Sequence, residues 1–79
     1  MEIRILGTGC ANCEKLEKLA RQAVEELNIE ATFIKVKEIN KILEYGIART
    51  PGLVINGKVK SAGRLPALER IKIWIQEAA

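Results

Sequence analysis

The only two cysteines of this chain stand at a junction, in Gly7-Thr8-Gly9-Cys10-Ala11-Asn12-Cys13. Before the junction runs Glu2-Ile3-Arg4-Ile5-Leu6, short and apolar, which predicts a strand. After it, Cys13, Leu16, Leu19, Ala20, Ala23, Val24 and Leu27 recur at three- and four-residue spacing, which predicts a helix over 11–27 with one buried stripe. Gly7 and Gly9 stop the strand and let the backbone turn into the helix. Cys10 therefore stands at a helix start. The first N–H groups there lack internal partners and the macrodipole leaves partial positive charge. Both favour the thiolate, which is the nucleophilic form. Side chains three residues apart on a helix have Cβ atoms roughly 5–6 Å apart, so disulfide geometry is within reach. The pair reads as a reversible disulfide. Cys13 belongs to the apolar stripe and Cys10 precedes it, an asymmetry that suits an exposed attacking thiol and a protected resolving thiol.

Composition narrows the alternatives. Seventy-nine residues suffice for one domain, 1–79, with a modest core. The chain has no His, which excludes a Cys–His dyad and any His-containing metal site. Its net charge of +3 is spread among interspersed Lys, Arg and Glu, and it has one Phe, one Tyr and one Trp. A basic stripe with stacking aromatics is absent, so nucleic-acid binding is not expected. Met1-Glu2-Ile3-Arg4-Ile5-Leu6 lacks the apolar stretch of a signal peptide. No segment approaches membrane-span length, and a cytoplasmic location is expected. A disulfide across two intervening residues constrains little chain entropy, so a purely structural clamp is disfavoured. A zinc ribbon would require a second C-x-x-C.

Along the rest of the chain, residues 31–36 predict a second strand, parallel to the first through a right-handed crossover. Residues 38–45 predict a short helix with Ile39, Ile42 and Leu43 facing inward, capped by Gly46. Leu53-Val54-Ile55 predicts a strand, Asn56-Gly57 a two-residue hairpin turn, and Lys58-Val59-Lys60-Ser61 the return strand. In the last helix Pro66 is expected in the first turn, with Leu68, Ile71, Trp74, Ile75 and Ala78 on the inner face. On the first helix Glu14–Lys18, Glu17–Arg21 and Arg21–Glu25 are spaced for surface pairs. The order β-α-β-α-β-β-α predicts an α/β fold: a four-stranded mixed sheet with helices on both faces.

That order, with C-x-x-C after the first strand, resembles the thioredoxin fold in its minimal form. Two stretches carry the resemblance: Cys10-Ala11-Asn12-Cys13, and Tyr45-Gly46-Ile47 leading to Thr50-Pro51, an apolar strand, Asn56-Gly57 and Gly63. The chain is most similar to the small thioredoxin- and glutaredoxin-like redox-active disulfide proteins of archaea and bacteria. The resemblance implies Cys10 as attacking thiolate, Cys13 as resolving thiol, Pro51 as a cis-proline packed against the pair, and Thr50 as backbone for an extended substrate segment. A proline lowers the penalty of a cis bond to roughly 0.5–1 kcal/mol, and it offers neither an N–H nor a metal ligand. The chain differs from thioredoxins in having Gly9 before the first cysteine, Ala11-Asn12 between the two, and Arg4 where an acid is usual. After the hairpin, Ser61-Ala62-Gly63-Arg64 does not match the glutathione contact of glutaredoxins.

The expected activity is thiol–disulfide oxidoreduction: reduction of protein disulfides by a Cys10/Cys13 dithiol cycle, restored by a reductase or dithiol donor. Neither cofactor nor metal is expected beyond the cysteine pair, and a monomer is expected. Arg49, Lys58, Lys60 and Arg64 flank the site in sequence and are candidates for favouring the thiolate or steering acidic partners. The alternative is a soft-metal carrier holding Cu(I) on the same two thiolates. Such domains end in a strand and usually carry Met where this chain has Thr8. A third possibility is a cysteine pair that bridges subunits.

Overall fold

The computed structural model describes residues 1–79. Its elements are β1 (Glu2–Leu6), α1 (Ala11–Glu26), β2 (Thr32–Val36), α2 (Ile39–Glu44), β3 (Gly52–Ile55), β4 (Lys58–Ala62) and α3 (Leu68–Ala78). The strands form one sheet in the order β2-β1-β3-β4. β1 and β2 are parallel, whereas β3 runs antiparallel to both β1 and β4. This is the mixed α/β architecture of a minimal thioredoxin fold.

Alternation along the strands divides the core between the two faces of the sheet. Ile3 and Ile5 of β1 and Leu53 and Ile55 of β3 pack with Leu16, Ala20, Ala23 and Val24 of α1 and with Ile71 and Ile75 of α3. Leu6, Val36 and Val54 point the other way and pack with Ile42 and Ile47. β3 lies inside the sheet with both faces covered, so all four of its residues are buried. A fully buried side chain of this size contributes roughly 1.5–3 kcal/mol, and the larger share of such residues lies on the α1/α3 face. β1 and α1 are thereby fixed to each other; Cys10 stands at the junction between them and Cys13 in the first turn of α1.

Turn chemistry sets the boundaries. α1 gives way at Asn28, which takes the left-handed conformation with φ 56°. Asn56 and Gly57 both have positive φ, 48° and 83°, the pattern of a tight hairpin whose twist matches its strands. Asn56 also ties the hairpin down. Its Oδ1 accepts the Glu2 N–H at 2.9 Å, and its Nδ2 donates to the Ala78 carbonyl at 3.4 Å.

The structure corrects three expectations. Of the α2 residues expected inside, only Ile42 is buried; Ile39 and Leu43 are 64% and 56% exposed. α2 has six residues, too few turns to bury more than one row against the sheet. Pro66 lies outside α3, which starts at Leu68 after the cap residue Ala67. Within α3 only Ile71 and Ile75 are fully buried, and Leu68, Trp74 and Ala78 are half-buried against the same core. Of the three charge pairs spaced along α1, Glu17–Arg21 forms, at 3.0 Å. Arg21 is thereby committed to Glu17, and its guanidinium lies 4.4 Å from the centre of the Phe33 ring.

Candidate active site at the start of the first helix

Cys10 is the N-cap of α1, with φ −71° and ψ 165°. This extended backbone lets its side chain fold back over the first turn. Its Sγ accepts the Cys13 N–H at 3.2 Å, so one otherwise unpartnered helix donor points at the sulfur. The Cys10 carbonyl accepts the Glu14 N–H at 3.1 Å and begins the helix ladder. Cys10 and Cys13 are joined as a disulfide, with Cα atoms 5.0 Å apart. Cys10 is exposed, whereas Cys13 is 5% exposed.

Gly7 makes room for the buried sulfur. A Cβ on Gly7 would overlap Cys13 Sγ and lie 3.1 Å from Cys13 Cβ. The same Cβ position is 3.9 Å from Thr50 Cβ. Gly7 thus stands between the cysteine pair and the Thr50-Pro51 segment, and brings the two together. The sequence marks Gly7 as the end of a strand; the second demand on it, room for Cys13, is visible only in three dimensions. The Thr50–Pro51 peptide bond is cis. Pro51 is buried and Thr50 is exposed. The Pro51 carbonyl accepts the Gly63 N–H at 2.8 Å, which holds this segment to the end of β4. Beside Thr50, an apolar groove lined by Thr8, Ile39, Ile42, Leu43, Ile47 and Ala48 runs out over α2.

The flanking basic residues divide. Gly63 packs on Arg49, at the cysteine end of the sheet. Lys58 and Lys60 lie at the opposite end, lining a cavity with Ile55, Asn56, Glu77 and Ala78. The antiparallel register explains this: Gly52 pairs with Leu6 beside the cysteine loop, and Ile55 pairs with Ile3 at the far end, where the hairpin turns. Arg4 points to the α2 face beside Val36 and Tyr45. Its guanidinium donates to Glu2 Oε1 at 2.6 Å, and that hydrogen bond raises its pKa further above the usual arginine value.

Behind Cys13 is a small cavity of about 50 Å³ that the sequence does not reveal. Glu17, one turn beyond Cys13 on α1, lines it together with Lys35 of β2. Glu17 Oε1 is 2.9 Å from Lys35 Nζ, and Oε2 accepts the Arg21 Nε–H at 3.0 Å. The hydrogen bond from Lys35, aided by Arg21, holds the Glu17 carboxyl below the usual carboxylate range, against a smaller opposing effect of burial.

A sulfur pair at a helix start, one member exposed and the other buried, on this four-stranded sheet defines a thiol–disulfide oxidoreductase of the thioredoxin class. Residues 1–76 match the family model described as a thioredoxin domain. The chain is 54% identical over 72 residues to a thioredoxin of Methanothermobacter thermautotrophicus, which covers 91% of this chain and 94% of that protein. It is 40% identical over 70 residues to a thioredoxin of Methanocaldococcus jannaschii, covering 89% of this chain and 80% of that one. The chain belongs to the thioredoxin family. These likenesses do not favour the soft-metal carrier.

Proposed function

We propose that this chain, as a single domain over residues 1–79, is a monomeric cytoplasmic electron carrier that reduces disulfides in protein partners. The observation that carries the reading is the pairing of an exposed Cys10, whose Sγ receives a helix N–H, with a buried Cys13. In the reduced protein the same N–H and the helix macrodipole favour the Cys10 thiolate. Cys10 attacks a partner disulfide, forms a mixed disulfide and releases the partner's first thiolate. Cys13 then attacks Cys10 Sγ, releases the second thiolate and leaves the Cys10–Cys13 disulfide. A separate reductase or dithiol donor returns two electrons to the pair. The cycle requires no cofactor or metal.

Thr50 and Pro51 serve as the substrate platform. Thr50 is exposed beside the cysteines, and its backbone is suited to pairing with an extended partner segment, a mode that tolerates varied sequence. Pro51 supplies an apolar, donor-free wall to the same side. Cys10→Ser is expected to abolish turnover of a protein disulfide, and Cys13→Ser to accumulate a mixed disulfide detectable by mass. A Cys10→Ser protein that still reduces disulfides at the normal rate would overturn the mechanism. A protein whose Cys13→Ser variant traps no partner would overturn the assignment of Cys13.

A further inference from the structure

The surface around Thr50 is electrically lopsided. On one side lies the groove of Thr8, Ile39, Ile42, Leu43, Ile47 and Ala48, which carries no charge. On the other side stand two arginines. Arg49 directly precedes Thr50, and its stem lies along Gly63: a Cβ on Gly63 would meet Arg49 Cβ at 2.8 Å and Cδ at 3.2 Å. Gly63 has φ 73°, a left-handed backbone that suits glycine, and its missing side chain leaves a seat for that stem. Arg64 comes from beyond β4. Gly52 pairs with Ala62, and the Gly63 N–H donates to the Pro51 carbonyl at 2.8 Å, so the antiparallel ladder continues one step past both strands. One step further along the two chains stand Thr50 and Arg64. Thr50 is thus bracketed by Arg49 on its own chain segment and Arg64 on the neighbouring one.

Both arginines are exposed, and neither belongs to the ion pairs that hold Arg4, Arg21, Lys35 and Lys72 to glutamates. Glu69, the acid closest to Arg64 in sequence, lies 4.0 Å from Lys72. Two unneutralised guanidiniums therefore flank the surface on which a partner segment would lie. A guanidinium matches a carboxylate with two parallel N–H donors. Opposite charges that face each other across paired strands attract, and like charges repel.

We infer that Arg49 and Arg64 receive a carboxylate of a protein partner, so that this chain prefers disulfides with Asp or Glu beside the attacked cysteine. The inference rests on the proposed role of Thr50 as the docking platform. Thr50 Cβ lies 3.9 Å from the place of a Cβ on Gly7, and that same place overlaps Cys13 Sγ, so the platform and the sulfurs adjoin. A strand advances about 3.3 Å per residue, so the partner residues that meet the arginines lie about one to three positions from its cysteine. Lys58 and Lys60 carry the same charge at the other end of the sheet and take no part. The preference is therefore set by position and not by net charge. It works in both directions: an acid near the partner's cysteine is attracted, and a Lys or Arg at the same place is repelled.

The test uses two peptides, each closed by one disulfide and alike except for a glutamate or a glutamine two residues from a cysteine. Reduced protein is mixed with each at low ionic strength, where screening is weakest, and loss of the peptide disulfide is followed by acid quench and mass. The glutamate peptide is expected to react about 10-fold faster, the lower end of what charge complementarity adds to encounter. Arg49→Gln combined with Arg64→Gln is expected to bring the ratio of the two rates close to one. Arg49→Lys combined with Arg64→Lys, which keeps the charge, is expected to restore most of the preference. Lys58→Gln combined with Lys60→Gln is expected to leave the ratio as in the parent. The ratio is internal to each variant, so a general loss of stability or of thiol reactivity does not imitate the effect. A ratio near one in the parent overturns the inference. So does a ratio that survives the loss of both arginines, or one that falls equally when the two lysines are replaced. Arginine dependence found with 5,5′-dithiobis(2-nitrobenzoate), a small anionic disulfide, and absent with the peptides would assign the guanidiniums to a small substrate and overturn the docking of a protein. A parent that reduces neither peptide would overturn the oxidoreductase reading itself, so the two failures are distinguishable.

Discussion

A methyl group on Gly7 would occupy the place of the Cys13 sulfur. The residue that ends β1's run is therefore small because the Cys13 sulfur is buried against it. Gly7→Ala is expected to destabilise the oxidised protein by about 1–3 kcal/mol, the usual range for overpacking. Denaturant unfolding measures this. In a Cys13→Ala background the penalty is expected to shrink, because the sulfur is gone and only the 3.1 Å approach to Cys13 Cβ remains. An equal penalty in both backgrounds would show that the sulfur is not what Gly7 accommodates.

Exposure separates the two cysteines as targets. After reduction, Cys10 is expected to alkylate first and Cys13 only slowly, because Cys13 is 5% exposed behind the first turn of α1. Timed alkylation followed by mass mapping reads the order directly. Equal rates at the two sites would contradict the protected position of Cys13.

On α2, three apolar residues that look equivalent in sequence are expected to respond differently. Ile42→Ala removes a side chain that is 4% exposed and should cost about 2–4 kcal/mol. Ile39→Gln and Leu43→Gln alter side chains that are already largely in water, and should change stability by no more than about 0.5 kcal/mol. Thermal and denaturant melts of the three variants decide the matter.

Stability against pH carries the signature of two ion-paired acids. Lys35 and Arg21 lower the Glu17 pKa, and hydrogen bonds from Gln22 and Lys72 lower that of Glu26, below the ordinary value of 4.5. A lowered carboxylate contributes stability above its unfolded pKa and loses it as pH falls through the folded one. Glu17→Gln is therefore expected to be less stable than the parent at neutral pH, with the difference vanishing as the solution is acidified below that ordinary value. Lys72 behaves in the opposite sense. Its hydrogen bond to Glu26, at 3.1 Å between α3 and α1, raises its pKa above 10.5. Its contribution is present below 10.5 and is lost as pH rises through the raised value. Chemical denaturation across pH, with Lys72→Met as the comparison, tests the alkaline limb.

Much of this was readable from local pattern. The strand run ending at Gly7, the three-to-four spacing from Cys13 to Val24, and the Asn56-Gly57 turn each act within a few residues. Backbone sterics and side-chain periodicity dictate such features whatever the rest of the chain does. The cysteine pair is of this kind: C-x-x-C at a helix start brings two sulfurs together within one turn. Ile39 and Leu43 depart from the expected inner face because periodicity identifies a stripe but not its cover, and of the three only Ile42 packs with Leu6, Val36 and Val54. Lys58 and Lys60 were near the site in sequence and distant in space, because a hairpin carries its turn to the other end of the sheet.

By itself, then, the sequence determined the order of elements, the thiol pair and the asymmetry between its two members. Tertiary structure decided what surrounds the pair. Glu17 meets Lys35 only because the parallel crossover lays β2 alongside β1, with Lys35 opposite Ile5 at the edge of α1. Thr50 comes close to Cys13 only because β3 pairs antiparallel with β1 and starts at Gly52, opposite Leu6 and next to Gly7. Contacts between residues eighteen or more positions apart depend on which strands pair and in what register, and that is settled by burying both faces of the sheet at once rather than by any local stretch of chain.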